Sequence, residues 1–204
     1  MKSSMKKKFL RAAAACVAVL MIGSLAGCGQ RGAGETEAPE TSAASNEIAD
    51  ALELLTAVWE SYPEDAVFPA AGGDSEEMTM DGPGACSVEN AEALDASLAF
   101  PADEAGKIDD AASLVHMMNA NTFTAGAFRL KEAGDSQAVA QALEENLNGR
   151  QWICGFPEEM MIASVDQYLV CAFGTADLVE TFQNQLSSVY ETVSVISEGP
   201  VSAG

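Results

Sequence analysis

The stretch MIASVDQYLVCAF, residues 161–173, is the clearest guide to the fold of this chain. Two apolar runs of strand length flank the polar pair Asp166-Gln167, which indicates two neighbouring antiparallel strands joined by a tight turn. The segments on either side, DSQAVAQALEENLNGR before it and TADLVETFQNQLSSVY after it, carry apolar residues at helical spacing. This part of the chain therefore predicts the order helix, strand, strand, helix.

Towards the amino terminus, TFTAGAFRL at residues 122–130 has the composition of a further strand. The segment ADEAGKIDDAASLVHMMNA, residues 102–120, is predicted as a helix because its apolar residues recur at spacings of three and four. This order of elements is typical of the α+β class. We expect a single small domain with a mostly antiparallel sheet packed by helices.

A further amphipathic helix is predicted in NEIADALELLTAVWESYP, residues 46–63. Asn46 is its expected cap and Pro63 its expected end. Packing on the protein's own core is the default interpretation, and recognition of a partner is the alternative. Residues 63–83 are expected to be irregular, because AAGGDSEE and DGPG interrupt regular structure. The apolar stripe of the helix holds Ile48, Leu52, Leu55, Trp59 and Tyr62.

The first 27 residues have the three parts of an export signal. Five basic residues lie before position 12, an apolar run covers residues 12–22, and small residues follow. The four residues Leu25-Ala26-Gly27-Cys28 resemble the lipobox of bacterial lipoproteins. That resemblance implies that the Cys28 thiol receives a diacylglyceryl group and that the signal is cut just before it. An ordinary secretory signal is the alternative. The lipobox residues are Leu25, Ala26, Gly27 and Cys28.

This resemblance implies a location and an organisation. A lipid on Cys28 would hold the protein at the outer face of the bacterial cytoplasmic membrane, with the membrane as a partner. Residues after the cysteine are poor in large apolar side chains, which predicts a flexible tether. The expected segments are a signal peptide at 1–27, a disordered tether at 28–45, the amphipathic helix and an acidic glycine-rich loop at 46–84, the α+β domain at 85–196 and a frayed tail at 197–204.

The chain is strongly acidic, with a formal charge of −21. Loss of residues 1–27 would remove five of the ten basic residues and none of the 31 acidic ones, leaving a charge of −26. Such a charge argues against nucleic acid as a partner and against electrostatic docking on anionic lipid. Solubility outside the cell is the preferred explanation, and attraction of a cationic ligand is the alternative.

Three cysteines remain once Cys16 has left with the signal and Cys28 carries the lipid. Cys86, Cys154 and Cys171 allow at most one internal disulfide, with three choices of pair, and they have no CxxC spacing. Packing as small hydrophobic side chains is the interpretation that we favour for all three.

No catalytic residue, metal site or cofactor is predicted. His116 is the only histidine, which excludes multi-histidine metal sites. Asp109, Ser113 and His116 would share one face of the predicted helix, but such a line of residues provides no strained nucleophile turn and no oxyanion hole. The acidic stretch DSEEMTMD lacks the spacing of a calcium-binding EF-hand loop, and weak calcium binding by its Asp74, Glu76, Glu77 and Asp81 is the alternative. The chain also has pairs of adjacent acidic residues. Because the side chains of adjacent residues on a helix point in different directions, these pairs are interpreted as solvated surface.

The segment RQWICGFP, residues 150–157, is the most distinctive local cluster. Tryptophan and arginine are favoured at the centres of binding sites, so Arg150, Trp152 and Phe156 form a candidate binding patch. A loop that plugs the core between a helix and a strand is the alternative.

The run HMMNANTFTAGAFRLKE, followed by AVAQALEENL, YLVCAFG and LVETFQ, resembles a family of uncharacterised lipoproteins of clostridial-type Gram-positive bacteria, defined by a domain of unknown function. The resemblance covers about residues 85–190 and implies location and architecture. It carries over no catalytic residue. The acidic glycine-rich insert at 71–84 departs from the family pattern.

These observations favour a non-enzymatic accessory or ligand-binding module anchored outside the cytoplasmic membrane. Its partner would be an envelope protein, a cell-wall component or a cationic ligand. The alternative is an extracellular hydrolase that uses a carboxylate pair assembled by the fold. A small solute-binding component of a transporter ranks last, because one small domain is too short to form two lobes that close on a ligand.

Overall fold

The computed structural model describes residues 48–75, 77–118, 122–153 and 155–202. The predicted signal peptide, lipobox and tether lie outside the described residues. Two short 3₁₀ helices, Ala102–Lys107 and Ala133–Asp135, accompany the main elements. The helices are α1 (Ala51–Glu60), α2 (Ala91–Leu98), α3 (Ser136–Asn148) and α4 (Ala176–Val189). The strands are β1 (Ala70–Gly72), β2 (Thr79–Met80), β3 (Gly84–Cys86), β4 (Ile108–His116), β5 (Phe123–Leu130), β6 (Glu159–Val165), β7 (Tyr168–Gly174) and β8 (Ser194–Pro200).

The strands form one antiparallel sheet in the order β2-β1-β4-β5-β7-β6-β8, and β3 also pairs with β4. The predicted hairpin is confirmed, because β6 and β7 pair directly across Asp166-Gln167. Asp166 takes the positive φ of 50° that tight turns between antiparallel strands require. The predicted α+β class is therefore confirmed. In the described part of the chain, no helix combines the length and the apolar character needed to cross a bilayer.

Helices cover both faces of this sheet. α1 and α4 pack on one face and α2 and α3 on the other, so the sheet is the middle of three layers. Strands buried on both faces carry apolar residues at consecutive positions rather than at alternate ones. All seven residues of β7 are buried, which explains the unbroken run YLVCAFG.

Helix α1 packs its apolar side on the protein's own core, which confirms the default interpretation. Leu54, Leu55 and Val58 are fully buried in the core beneath it, while Leu52 and Trp59 pack at its margin. The side chain of Asp50 caps the helix by accepting a hydrogen bond from the Glu53 amide at 2.7 Å. The predicted cap, Asn46, lies outside the described residues.

The helix predicted at residues 102–120 is wrong. The chain makes only a 3₁₀ helix at Ala102–Lys107 and then enters the nine-residue strand β4. β4 lies between β5 on one side and β1 and β3 on the other, with both faces buried. A strand buried on both faces has apolar residues at many spacings, including those of a helix, so periodicity alone could not separate the two.

The predicted frayed tail is wrong for residues 197–200. They belong to β8, whose backbone pairs with β6 as far as Glu159↔Pro200. Ile196 and Val201 also pack against the core on the α2 and α3 face. The sheet likewise extends before the predicted boundary at residue 85, because β1 pairs with both β2 and β4. All described residues belong to one compact unit.

Candidate functional site

The structure brings Arg150 and Trp152 together in the loop that joins α3 to β6. The guanidinium carbon of Arg150 lies 5.8 Å from the centre of the Trp152 ring, which is a cation–π distance. The indole packs in turn on Phe173 of β7, with ring centres 5.6 Å apart. Phe156, the third member of the predicted patch, is 64 % exposed and points away from the core. The loop therefore plugs the core with one aromatic residue and exposes another.

Arg150, Trp152 and Phe173 line a cleft of about 190 Å³ that we call the Arg150 cleft, whereas Phe156 is not among its lining residues. It lies at one end of the sheet, where β4 ends and β5 begins. The α2 helix forms part of its wall through Ala96 and Ser97. The polar side chains that line it are Ser97, His116, Thr122, Thr124, Arg150 and Trp152.

Arg150 is held by the helix opposite. Its guanidinium donates to the Asp95 carboxylate and to the Asp95 backbone carbonyl, both at 2.5 Å. Asn146 of α3 donates to the same carboxylate and to the carbonyl of Ala99. The charge of Arg150 is thus compensated within the protein, and its remaining N–H groups can donate hydrogen bonds without adding net charge to the cleft.

His116 is nearly buried and is fixed by two contacts. Its ring stacks on Phe68 with centres 4.8 Å apart, and Nδ1 accepts a hydrogen bond from the Met118 amide at 3.0 Å. Because Nδ1 is the acceptor, the proton of the neutral ring lies on Nε2. Burial lowers the pKa of His116 below the usual histidine value, which favours this neutral form. His116 therefore offers a hydrogen-bond donor from Nε2.

The indole nitrogen of Trp152 is buried and finds no hydrogen-bond partner among the described residues. Leaving a buried donor unpaired costs about 1–3 kcal/mol. A tryptophan placed only to fill the core would normally satisfy this group.

The apolar rim is our name for four exposed apolar side chains that lie in, or directly beside in sequence, the chain segments that line the cleft, and Met118 among them lines it. It consists of two adjacent methionines at the end of β4 and two residues of the α3–β6 loop, all of them exposed. Exposed fractions are 47 % for Met117, 55 % for Met118, 89 % for Ile153 and 64 % for Phe156. Clustered exposed apolar side chains of this kind are typical of contact surfaces.

The cleft also differs in charge from the rest of the molecule. None of the described residues that line it is acidic, although the chain has 31 acidic residues. Carboxylates instead gather at a second cleft of about 430 Å³, which we call the acidic cleft. It lies between α4 and the paired strands β6 and β8, and Glu159, Glu180 and Glu198 line it.

The prediction that Asp109, Ser113 and His116 share one face of a helix is wrong. These residues lie on strand β4, where Ser113 faces one side of the sheet and His116 the other, while Asp109 lies at the irregularity between Ile108 and Asp110 and pairs with Arg129. Ser113 accepts from the Gly73 amide at 2.8 Å and lies 3.4 Å from the Cys86 sulfur. Ser113 and His116 do not form a catalytic pair, because successive side chains of a strand point to opposite faces of the sheet.

The two cysteines that the structure describes, Cys86 and Cys171, lack the environment of a reactive thiol. Cys86 and Cys171 are both unpaired within the described part of the chain, and Cys154 lies outside it. Burial raises the pKa of both thiols above the ordinary value, which disfavours the nucleophilic thiolate. Cys171 is packed in the core on the α2 and α3 face, as predicted.

No group of three or more histidine, cysteine or acidic side chains in the described ranges is arranged to hold a metal ion. The lipobox residues Leu25, Ala26, Gly27 and Cys28 lie outside those ranges.

Sequence reasoning placed Arg150 and Trp152 in one patch but missed His116, Thr122 and Thr124. The mistaken helix assignment separated His116 from the next strand, whereas a β4–β5 hairpin brings these residues to one end of the sheet. Comparison of this chain with protein-family models, with curated proteins and with solved structures finds no match.

Proposed function

We propose that this protein is a lipid-anchored binding module at the outer face of the bacterial cytoplasmic membrane. The lipobox-like residues Leu25 to Cys28 support the anchor, because they follow a basic start and an apolar run. A diacylglyceryl group on Cys28 would supply two acyl chains, and two chains are needed for stable anchoring. The folded domain would then stand outside the membrane on the tether.

One observation carries the binding role: the Arg150 cleft combines donors with an exposed apolar rim and has no acidic lining residue among those described. Concave sites with a few convergent polar groups and apolar walls are typical of ligand recognition. Arginine and tryptophan are also the side chains favoured at the centre of protein contacts.

The same geometry supports binding over catalysis. In a serine-type mechanism the histidine donates from Nδ1 to a carboxylate and accepts a proton at Nε2. Here Nδ1 accepts from the Met118 amide, so Nε2 already carries the proton of the neutral ring. His116 is thus arranged as a donor and not as a general base.

A hydrolase based on the acidic cleft is the alternative. Its support is that Glu159, Glu180 and Glu198 line one cleft. A carboxylic acid that acts as a general acid is usually held in a desolvated pocket. Glu180 and Glu198 are exposed, and Glu198 accepts a hydrogen bond from Gln183 at 2.9 Å. This second role has the weaker support.

The anchor is tested by growing cells with an alkyne analogue of palmitate and reading label on the purified protein. We expect label on the wild type and on Cys16→Ala, and none on Cys28→Ala. Mass spectrometry should find Cys28 as the first residue. A product that begins elsewhere, or that lacks lipid, contradicts the anchor.

The binding role is tested by placing a photo-crosslinking amino acid at Ile153, on the rim, in living cells. A matched control places it at Val195, which is 41 % exposed on the edge strand β8. We expect one discrete adduct from position 153 and none from position 195. Equal labelling from both positions, or none from position 153, contradicts a binding site at this cleft.

A further inference from the structure

We propose that the folded domain is oriented on the membrane with both clefts and the apolar rim at its far end, facing away from the bilayer. This inference rests on the proposed anchor and deepens it, because it states which surface of the protein is open to other molecules. Three features support it: the point where the chain enters the domain, the distance from that point to the clefts, and the charges near the rim.

The chain enters the domain at one end of the sheet, just before α1. Tyr168 and Arg129 donate hydrogen bonds to the backbone carbonyls of residues 48 and 49, both at 3.1 Å. Asp110 accepts a hydrogen bond from the amide of residue 51 at 2.6 Å. These side chains belong to β7, β5 and β4, so three strands fix the place where the chain from the lipid reaches the domain.

Both clefts lie at the opposite end of the same strands. The three holding side chains form one row across the sheet, because Arg129 pairs with Tyr168 on one side and with Asp110 on the other. At the other end, Gly174 of β7 pairs with Glu159 of the acidic cleft. Six residues of β7 separate this pair from Tyr168, which is about 20 Å at about 3.4 Å per residue. We call the two ends the tether end and the cleft end.

The segment between the lipid and the domain is short enough for this separation to matter. Nineteen residues lie between Cys28 and Ile48, and most of them belong to the predicted flexible tether. A flexible chain of that length has a root-mean-square span of about 24 Å. This span is close to the length of the strands, and the bilayer excludes the volume of the domain. Orientations that turn the cleft end towards the membrane are therefore restricted.

The charges near the rim oppose the reverse orientation, in which the rim would lie on the bilayer. Surfaces that lie on a membrane combine apolar side chains with lysine and arginine. The arginine at the cleft end, Arg150, is paired with Asp95. The three glutamates of the acidic cleft lie at the same end. Contact of the rim with the bilayer would bring these carboxylates close to anionic headgroups, which repel them.

The test compares the heights of the two ends above a bilayer by energy transfer. Lipidated protein is added to preformed liposomes of phosphatidylcholine and phosphatidylglycerol that contain a rhodamine-labelled lipid as acceptor. A donor dye is attached to an azide amino acid at one position of the chain. The tether end is labelled at Gly106 or Gly134, where an added Cβ meets no atom within 4 Å. The cleft end is labelled at Ile153 or Phe156, both of which are exposed.

We expect transfer from the tether end to be about twofold stronger than transfer from the cleft end, because their heights differ by up to about 20 Å. The two positions at each end should agree, which excludes a local effect of the dye. Cys28→Ala carries no lipid and should give no transfer above background. Circular dichroism of each labelled protein should match that of the unlabelled protein.

Equal transfer from the two ends overturns the orientation and shows that the domain rotates freely on its tether. Stronger transfer from the cleft end also overturns it and shows that the rim docks on the bilayer. If the wild-type protein does not float with the liposomes, the anchor itself is wrong and the orientation is wrong with it. Flotation without the expected difference contradicts the orientation alone.

Discussion

The Arg150 cleft and the acidic cleft lie at the same end of one sheet yet have opposite chemistry. The pairings Phe123↔Gly174, Glu159↔Gly174 and Glu159↔Pro200 place both sets of strand ends together. The Arg150 cleft has arginine, histidine and tryptophan, with its one strong charge compensated by Asp95. The acidic cleft has three glutamates, two of them exposed. Although the chain is strongly acidic, none of the described residues that line the Arg150 cleft is a carboxylate.

The largest effect is expected from Gly174→Ala, at the residue that pairs with both β5 and β6. A Cβ atom there would lie 2.1 Å from the Thr122 carbonyl oxygen and 2.8 Å from the Phe123 Cα, which are backbone atoms that cannot move aside easily. We expect a loss of about 3 kcal/mol in the free energy of unfolding.

The matched control is Gly134→Ala, where a Cβ would meet no atom within 4 Å. Urea unfolding followed by circular dichroism measures both variants. If Gly174→Ala were as stable as Gly134→Ala, the close approach of the two strands at this shared corner would be wrong.

A smaller effect is expected from Asn146→Ala, which acts on the wall of the Arg150 cleft alone. Asn146 donates at 2.8 Å both to Asp95 and to the carbonyl of Ala99, a buried residue with a positive φ of 55°. Loss of these bonds should destabilise the protein by about 1–2 kcal/mol. The photo-crosslinked adduct from position 153 should also become weaker, because α2 is less firmly held.

Gln141→Ala is the control for this variant, since Gln141 is exposed on the same helix and bonds only an exposed glutamate among its described neighbours. Equal unfolding free energies for the two variants would show that Asn146 does not brace the cleft.

A pH effect should follow from His116. Because burial lowers its pKa in the fold, the unfolded chain binds more protons between the folded pKa and the ordinary value of about 6.5. Stability from the neutral ring is therefore complete above about pH 6.5 and is lost as the pH falls through the folded pKa. Protonation also removes the acceptor for the Met118 amide.

The comparison variant is His116→Asn, whose side-chain oxygen can accept from Met118 without titrating in this range. We expect the melting temperature of the wild type to fall more steeply than that of the variant between pH 7 and pH 5. The carboxylates titrate in both proteins, so the difference reports the histidine. Parallel curves would contradict the assignment of the neutral ring.

The smallest effect is expected from Glu180→Gln/Glu198→Gln in the acidic cleft. Both side chains are exposed, so the free energy of unfolding should change by less than about 0.5 kcal/mol. The yield of the photo-crosslinked adduct from position 153 at the Arg150 cleft should stay within twofold of the wild type. A large loss would show that the two clefts act as one site.

Local patterns predicted several elements well. The helices α3 and α4 have apolar residues at helical spacing, whereas the hairpin around Asp166-Gln167 and the strand at 122–130 were predicted from short apolar runs next to turn or polar residues. Strand β4 was mistaken because burial on both faces removes the alternation that marks a strand. Strand β8 was missed because four of its seven residues are exposed and its order comes from backbone pairing with β6.

The α+β class, the acidic charge and the proximity of Arg150 to Trp152 could be predicted from composition or from neighbours along the chain. In contrast, the position of His116 beside them, the pairing of Arg150 with Asp95 and the gathering of three glutamates in the acidic cleft arise from the folding of distant segments onto one another. These contacts join residues tens of positions apart, and they follow from the order of the strands, which no local pattern of side chains specifies.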